Sequence, residues 1–244
     1  MNRAIKIAKG EWIARMDADD LMLPNRIEEQ MNYLSEHPEI DVISCWAYYI
    51  NEKGQPIGEL VHPNDLSTQA DNERYLTNGQ ITPLLHPSVI MRKSTILDAG
   101  GYKPIAPGQD MELWGRLQER RAYIVCMKKI LMKYRIHKDS ITSSDYMKSL
   151  DYYDWIVACM SLRRSQKPEI SFENFKETLR GKSMIIRLNR WRKNYSNYLY
   201  REASFAFGNH KYFHFMLYVF FSSLLEPKKI TRLIALIQRR LSLN

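Results

Sequence analysis

The chain has 244 residues, is 45% apolar, carries a formal charge of +9 and holds three cysteines. That length suits one large domain or one domain with a helical extension, and the apolar share excludes wholesale disorder. Cys45, Cys126 and Cys159 lie far apart, are odd in number and form no C-x-x-C pair. This excludes a disulfide framework or a zinc ribbon and points to reduced thiols in a cytoplasmic setting.

Met1 to Gly10 contains basic residues but no continuous apolar stretch of the signal-peptide kind. No segment offers the ~20 apolar residues of a spanning helix. Tyr212 to Leu225 comes nearest, but it is short and contains His214. The charge is unevenly placed. Residues 145–244 hold 18 of the 36 Lys and Arg but 8 of the 27 Asp and Glu, so they carry +10 and residues 1–144 carry −1. This divides the chain into a near-neutral globular part, 1–144, and a basic helical part, 145–244, that suits an anionic surface.

In chain order, Met1 to Lys9 is weakly helical and Trp12 to Met16 reads as a strand. Pro24 fits a first helical position, and Ile27, Met31 and Leu34 recur at helical spacing up to His37-Pro38. Asp41 to Ile50 and Pro56 to Val61 read as strands joined by a turn at Asn51 to Gly54. Asp65 to Asn78 follows as a helix. His86 to Met91 is a short strand, and Ser94 to Ala99 is a short helix stopped by Gly100-Gly101. Gly108-Gln109-Asp110 opens a helix with Leu113, Trp114 and Leu117 on its buried side. Ala122 to Tyr134 is a strand region interrupted by Lys128 and Lys129. Beyond it, 146–165, 171–192, 195–207, 210–225 and 227–241 read as helices, punctuated by Lys167-Pro168, Gly208-Asn209 and Glu226-Pro227.

Three features carry chemistry. The first strand runs into Asp17, Asp19 and Asp20, and side-chain alternation places Arg15, Asp17 and, if the extended backbone persists that far, Asp19 on one face. Carboxylates crowded at a strand end repel one another, and a hard cation such as Mg²⁺ or Mn²⁺ relieves that repulsion while bridging to phosphates. Asp20 serves equally well as a cap for the next helix. Asp110 stands at a predicted helix start, where the dipole holds a carboxylate ionised and ready to accept a proton. His137 follows the last strand, and neutral imidazole is a common metal ligand; His86, before Pro87, is similar.

These features sit in a recognisable series. Gly-Glu-Trp-Ile-Ala-Arg-Met-Asp-Ala-Asp-Asp at 10–20 is followed by Leu-Pro-Asn-Arg at 23–26 and Ile-Asp-Val-Ile at 40–43. Then come His86-Pro87-Ser88, Gly100-Gly101-Tyr102, Gln-Asp-Met-Glu-Leu-Trp at 109–114 and Tyr-Arg-Ile-His-Lys-Asp-Ser-Ile at 134–141. Over residues 2–143 the series resembles the middle of a family 2 glycosyltransferase of the GT-A fold. The resemblance implies an α/β fold: a partial GT-A, Rossmann-like domain with a mixed sheet, then an all-helical C-terminal region. It implies that the family's leading βαβ units, about 60–90 residues that hold base and ribose, do not precede Met1 here.

The resemblance also assigns roles. Asp17-Ala18-Asp19 is the D-x-D motif: Asp19 ligates Mg²⁺ or Mn²⁺ on the donor diphosphate, and Asp17 contacts nucleotide or metal. His137 is a further metal or diphosphate contact, and Arg15, Asp20 and His86 line the substrate site. Asp110 is the base that deprotonates the acceptor hydroxyl, giving inversion at the anomeric carbon. Gln109 replaces the family's usual Glu, which leaves the proton acceptor in place. The implied partners are a nucleotide-sugar donor and a glycan or lipid-linked acceptor of bacterial surface polysaccharide synthesis. The basic C-terminal helices, with Trp191, Arg192, Lys193, Tyr195 and the apolar run 213–225, suit peripheral contact with the inner face of a membrane or ordinary internal packing. No nucleic-acid motif accompanies them.

Two other readings follow from the same residues. One is a catalytically inactive transferase fragment that binds a membrane or a partner. The other is a haloacid-dehalogenase-type phosphatase, whose D-x-D pattern calls for Thr or Val where Leu21 stands. An EF-hand fails because Leu21 falls on a ligand position and no Gly follows.

Overall fold

A computed structural model describes residues 1–60, 66–136 and 146–229. The elements are α1 (Asn2–Ile7), β1 (Trp12–Ala14), β2 (Leu21–Met22), α2 (Arg26–Glu36), β3 (Val42–Ile50), β4 (Pro56–Leu60) and α3 (Gln69–Thr77). A 3-10 turn at His86–Ser88 leads to β5 (Ile90–Arg92), α4 (Lys93–Asp98), α5 (Gln109–Glu119) and β6 (Ile124–Arg135). The remaining described helices are α6 (Tyr146–Arg164), α7 (Phe172–Arg180), α8 (Met184–Gly208) and α9 (Tyr212–Leu225).

The strands form one mixed sheet in the order β1-β5-β3-β6-β2, with β4 paired to β3. Only β3 and β6 run parallel among the described pairs; the others are antiparallel. Alternation divides the sheet's side chains between two cores. Val42, Met91 and Ile124 face a core with Ile96, Leu113, Trp114 and Leu117. Ile43, Cys45, Ile90 and Val125 face the other, which Leu34 of α2 closes. The chain thus shows the expected α/β mixed sheet followed by helices.

Several elements differ from the sequence reading for definite reasons. Lys128 and Lys129 do not interrupt β6. The ladder passes from the pair Cys45–Met127 to Trp46–Ile130, so the two lysines lie in a bulge with their charges exposed. Lys129 Nζ meets Glu29 at 2.6 Å. Strand β1 ends at Ala14, two residues early, and β2 pairs with β6 at the far side of the sheet. Helix α2 begins one residue after its cap, Asn25, so Pro24 lies just outside it. The break expected at 193–194 falls instead at Gly181 to Ser183, where helical glycine is costly and serine favours an N-cap.

The residues form two compact units. The first comprises Met1–Ser144 and Asp151–Ile170, the second Asp145–Leu150 and Ser171–Asn244. Ile156 and Met160 of α6 belong to the core of the first. In the second, α8 and α9 form an antiparallel hairpin through the turn at Asn209 to Lys211.

Candidate active site at the end of the sheet

Residues 15–20 leave β1 at one edge of the sheet and reach β2 at the other, so they cross the sheet's end. Three contacts hold them. Arg15 donates its backbone N–H to the Val89 carbonyl at 2.9 Å. The Arg15 carbonyl accepts from Arg26 Nη2 at 2.9 Å. Asp20 Oδ1 accepts from the Arg135 backbone N–H at 2.8 Å. Arg26 is 1% exposed, and its Nε also donates to Gln30 Oε1 at 3.0 Å. Burial lowers its pKa, yet the guanidinium remains a cation beneath the acidic segment.

Crossing the sheet in six residues separates the carboxylates. Asp17 stays beside Arg15, with Nη1 to Oδ1 at 2.6 Å. Asp19 is exposed, and its carbonyl accepts from Arg135 Nε at 2.8 Å. Asp20 turns inward and is 3% exposed; its Oδ2 has no hydrogen-bond partner among the described residues. Burial, then the charges of Asp19 and Asp17, push its pKa up to about 6, against the Arg135 hydrogen bond. Asp20 caps no helix. The same-face expectation holds for Arg15 and Asp17 and lapses at Asp19, because the extended backbone ends first.

The second half of the site rests on a clamped turn. Gly101 has φ +70°, and a Cβ there would lie 2.7 Å from Asn2 Oδ1. Asn2 brackets the next residue, accepting from the Tyr102 N–H at 2.8 Å and donating to its carbonyl at 2.8 Å. From the other side, Arg116 donates to the carbonyls of Ala99 and Gly101 while pairing with buried Glu112. Tyr102 is thereby fixed, and its hydroxyl meets His86 Nε2 at 2.9 Å. The His86 ring lies edge-on to Trp114, centroids 5.8 Å apart. Burial, reinforced by Arg15, lowers the His86 pKa to about 3, so the imidazole is neutral at physiological pH.

Asp110 occupies the first turn of α5, behind Gly108 with φ +95°. A side chain at 108 would also meet Ile156 Cδ1 at 2.9 Å. Asp110 lies within electrostatic range of Arg15 and Asp17. Tyr102 feels Arg15, Asp110 and Asp17 together. The expectation of a low pKa for Asp110 is corrected here. Burial raises it, outweighing the backbone N–H groups of Met111 and Asp110 that lower it. The helix terminus offers its N–H groups, but desolvation of the carboxylate costs more.

The structure therefore brings Arg15, Asp17, His86 and Asp110 into one neighbourhood, with Asp19 and Asp20 on the same segment. His137 lies outside the described residues. Among the described residues no three His, Cys, Asp or Glu side chains converge as a ready metal cage. Asp17 and Asp19 present oxygen donors of the chemistry that hard cations take, and one oxygen of Asp17 is engaged by Arg15. Tyr102, Trp114 and Arg135 were not singled out as site residues. Gly100-Gly101 before Tyr102 was the available signal, since paired glycines mark backbone held where a side chain would clash.

Residues 1–98 match the family model described as Glycosyl transferase family 2. The chain is similar to the uncharacterized glycosyltransferase MJ1057 of Methanocaldococcus jannaschii, with 33% identity over 136 residues, 55% of this chain and 45% of that protein. It is similar to the O-antigen biosynthesis glycosyltransferase WbnJ of Escherichia coli, 31% identical over 176 residues, 68% of this chain and 61% of that protein. It is also similar to the amylovoran biosynthesis glycosyltransferase AmsE of Erwinia amylovora, 28% identical over 152 residues, 61% of this chain and 55% of that protein. The chain spans about half the length of these relatives.

Proposed function

We propose, from the premise that the chain belongs to glycosyl transferase family 2 through residues 1–98, that it moves a sugar from a nucleotide-diphosphate donor to an acceptor hydroxyl with inversion. Surface polysaccharide synthesis is the setting, by analogy with the two relatives named for O-antigen and amylovoran biosynthesis. The observation that carries the reading is Asp110: a desolvated carboxylate of raised pKa within electrostatic range of Asp17 and Arg15.

Asp110 takes the proton of the acceptor hydroxyl as that oxygen bonds to the anomeric carbon. The bond from that carbon to the diphosphate oxygen breaks on the opposite face. A carboxylate whose pKa burial raises above the ordinary carboxylate value is the stronger base for this transfer. Arg15 stands beside Asp17 as a cation for an anionic donor. Neutral His86, hydrogen-bonded to Tyr102, orients a substrate hydroxyl without adding charge. Asp17 and Asp19, with His137, would hold Mg²⁺ or Mn²⁺, which when bound neutralises charge on the departing diphosphate. Arg26, Arg135 and Asp20 position the acidic segment.

The test is turnover and binding with a panel of nucleotide-sugars and Mn²⁺. Asp110→Asn should leave the donor dissociation constant unchanged while lowering kcat about 10²–10⁴-fold. Unaltered kcat in that variant refutes the base assignment.

A further inference from the structure

Helices α8 and α9 are built inside out. The buried positions of α9 are Ser222 and Ser223, and those of α8 are Ser196, Leu199, Ala203, Ala206 and Gly208. Ser196 and Ser222 exchange hydrogen bonds, each hydroxyl donating to the other's carbonyl, at 2.8 and 2.9 Å. Small residues and reciprocal polar contacts fill this interface, as where the surroundings are as apolar as the side chains. The large apolar residues face outward. Phe213 is 73% exposed, Phe220 61% and Leu224 67%, and Met216, Leu217 and Phe221 lie on the same face at helical spacing. Residues 212–225 contain no Lys, Arg, Asp or Glu.

The first half of α8 supplies the charge. Met184, Leu188, Trp191 and Tyr195 recur at spacings of four, three and four, forming an exposed apolar stripe. Trp191 and Tyr195 stack at 5.3 Å. Between them stand Arg187, Arg190, Arg192 and Lys193, with no acid over residues 184–195. Soluble monomers rarely expose so continuous an apolar face. A stretch that mixes aromatic residues with cations and holds no acid would repel a second copy of itself and suits the headgroup layer of an anionic membrane. No described helix is long and apolar enough to cross a membrane.

We infer that the α8–α9 hairpin docks on an anionic lipid surface, its apolar face seated at the acyl boundary and the exposed Arg187 and Lys193 on the headgroup phosphates. The charge complementarity and the inverted packing both select lipid over a second copy of the chain. The inference does not rest on the transferase reading, and its test needs no nucleotide-sugar.

The full chain is sedimented with vesicles of phosphatidylcholine alone or mixed with phosphatidylglycerol. Binding is expected to the mixed vesicles, to weaken as salt is raised, and to shift Trp191 fluorescence to the blue. Trp191→Phe should remove that shift. Phe213→Ser with Phe220→Ser should weaken binding about tenfold or more. Arg187→Glu with Lys193→Glu, an exposed change that keeps the helix, should weaken it about tenfold on mixed vesicles. Circular dichroism checks that every variant retains its helices. Failure to bind mixed vesicles overturns the inference, as does equal binding by the serine and glutamate variants. A dimer that forms without vesicle binding, and that the serine variant abolishes, also overturns it by assigning the face to a second copy.

Discussion

Helices α5 and α9 are of similar length and opposite construction. Helix α5 turns Leu113, Trp114 and Leu117 inward, and its buried ion, Glu112, is answered by Arg116 at 2.6 Å. Helix α9 turns serines inward and phenylalanines outward. In α5 the recurrence of Leu113, Trp114 and Leu117 sets the core side, and the charged residues Glu112, Arg116 and Glu119 are themselves buried or half-buried in ion pairs. In α9 no charge marks a face, and the smallest side chains win the interface because they let two backbones approach and share hydrogen bonds. Apolar content alone, then, does not predict which side of a helix is buried.

Four substitutions probe this contrast and the site that α5 carries. The largest effect falls on chemistry: Asp110→Asn, on the first turn of α5, should cost about 10²–10⁴-fold in kcat and abolish the acid-side rise of rate with pH. That rise should lie above the ordinary carboxylate range in the parent chain, because burial raises the Asp110 pKa. Next, Trp114→Ala should destabilise by about 3–5 kcal/mol in denaturant titration, since Trp114 is 1% exposed. Phe220→Ala, at an exposed site of α9, should change stability by no more than about 0.5 kcal/mol. Equal losses at the two aromatics would erase the distinction between the helices. Gly101→Ala should cost about 1–2 kcal/mol from its left-handed backbone, and it displaces Asn2 from Tyr102. A melt of that variant checks the clamp.

The smallest effect concerns pH. The Asp20 carboxyl has a folded pKa of about 6 against an ordinary 3.8, so the folded chain binds a proton more tightly than the unfolded chain between those values. The cost of burying the charge is absent below 3.8 and grows as pH rises through 6. Asp20→Asn should therefore gain melting temperature relative to the parent as pH rises from about 4 to about 7. A constant difference across that window would refute the assignment of the buried charge to Asp20.

Much of the fold was legible because local signals agreed. Strand β3 is a run of Val, Ile, Trp and Tyr, and α2 recurs at helical spacing. Gly108 before Asp110 marked the start of α5, and the acidic run after Trp12 to Ala14 marked the candidate site. The bulge at Lys128 and Lys129 was read as a break, because a ladder's register depends on a partner strand about 80 residues away.

Read alone, the order of residues determined that a strand ends in carboxylates, that an aspartate opens a later helix, and that the basic excess gathers in the last hundred positions. These are matters of neighbours along the chain, where propensity and charge act directly. Tertiary structure alone decided that Asp17 stays with Arg15 while Asp20 turns inward, that Tyr102 grips His86, and that Asp110 is raised rather than lowered in pKa. Burial and long-range hydrogen bonding set these, and both depend on residues distant in sequence being brought together by the sheet.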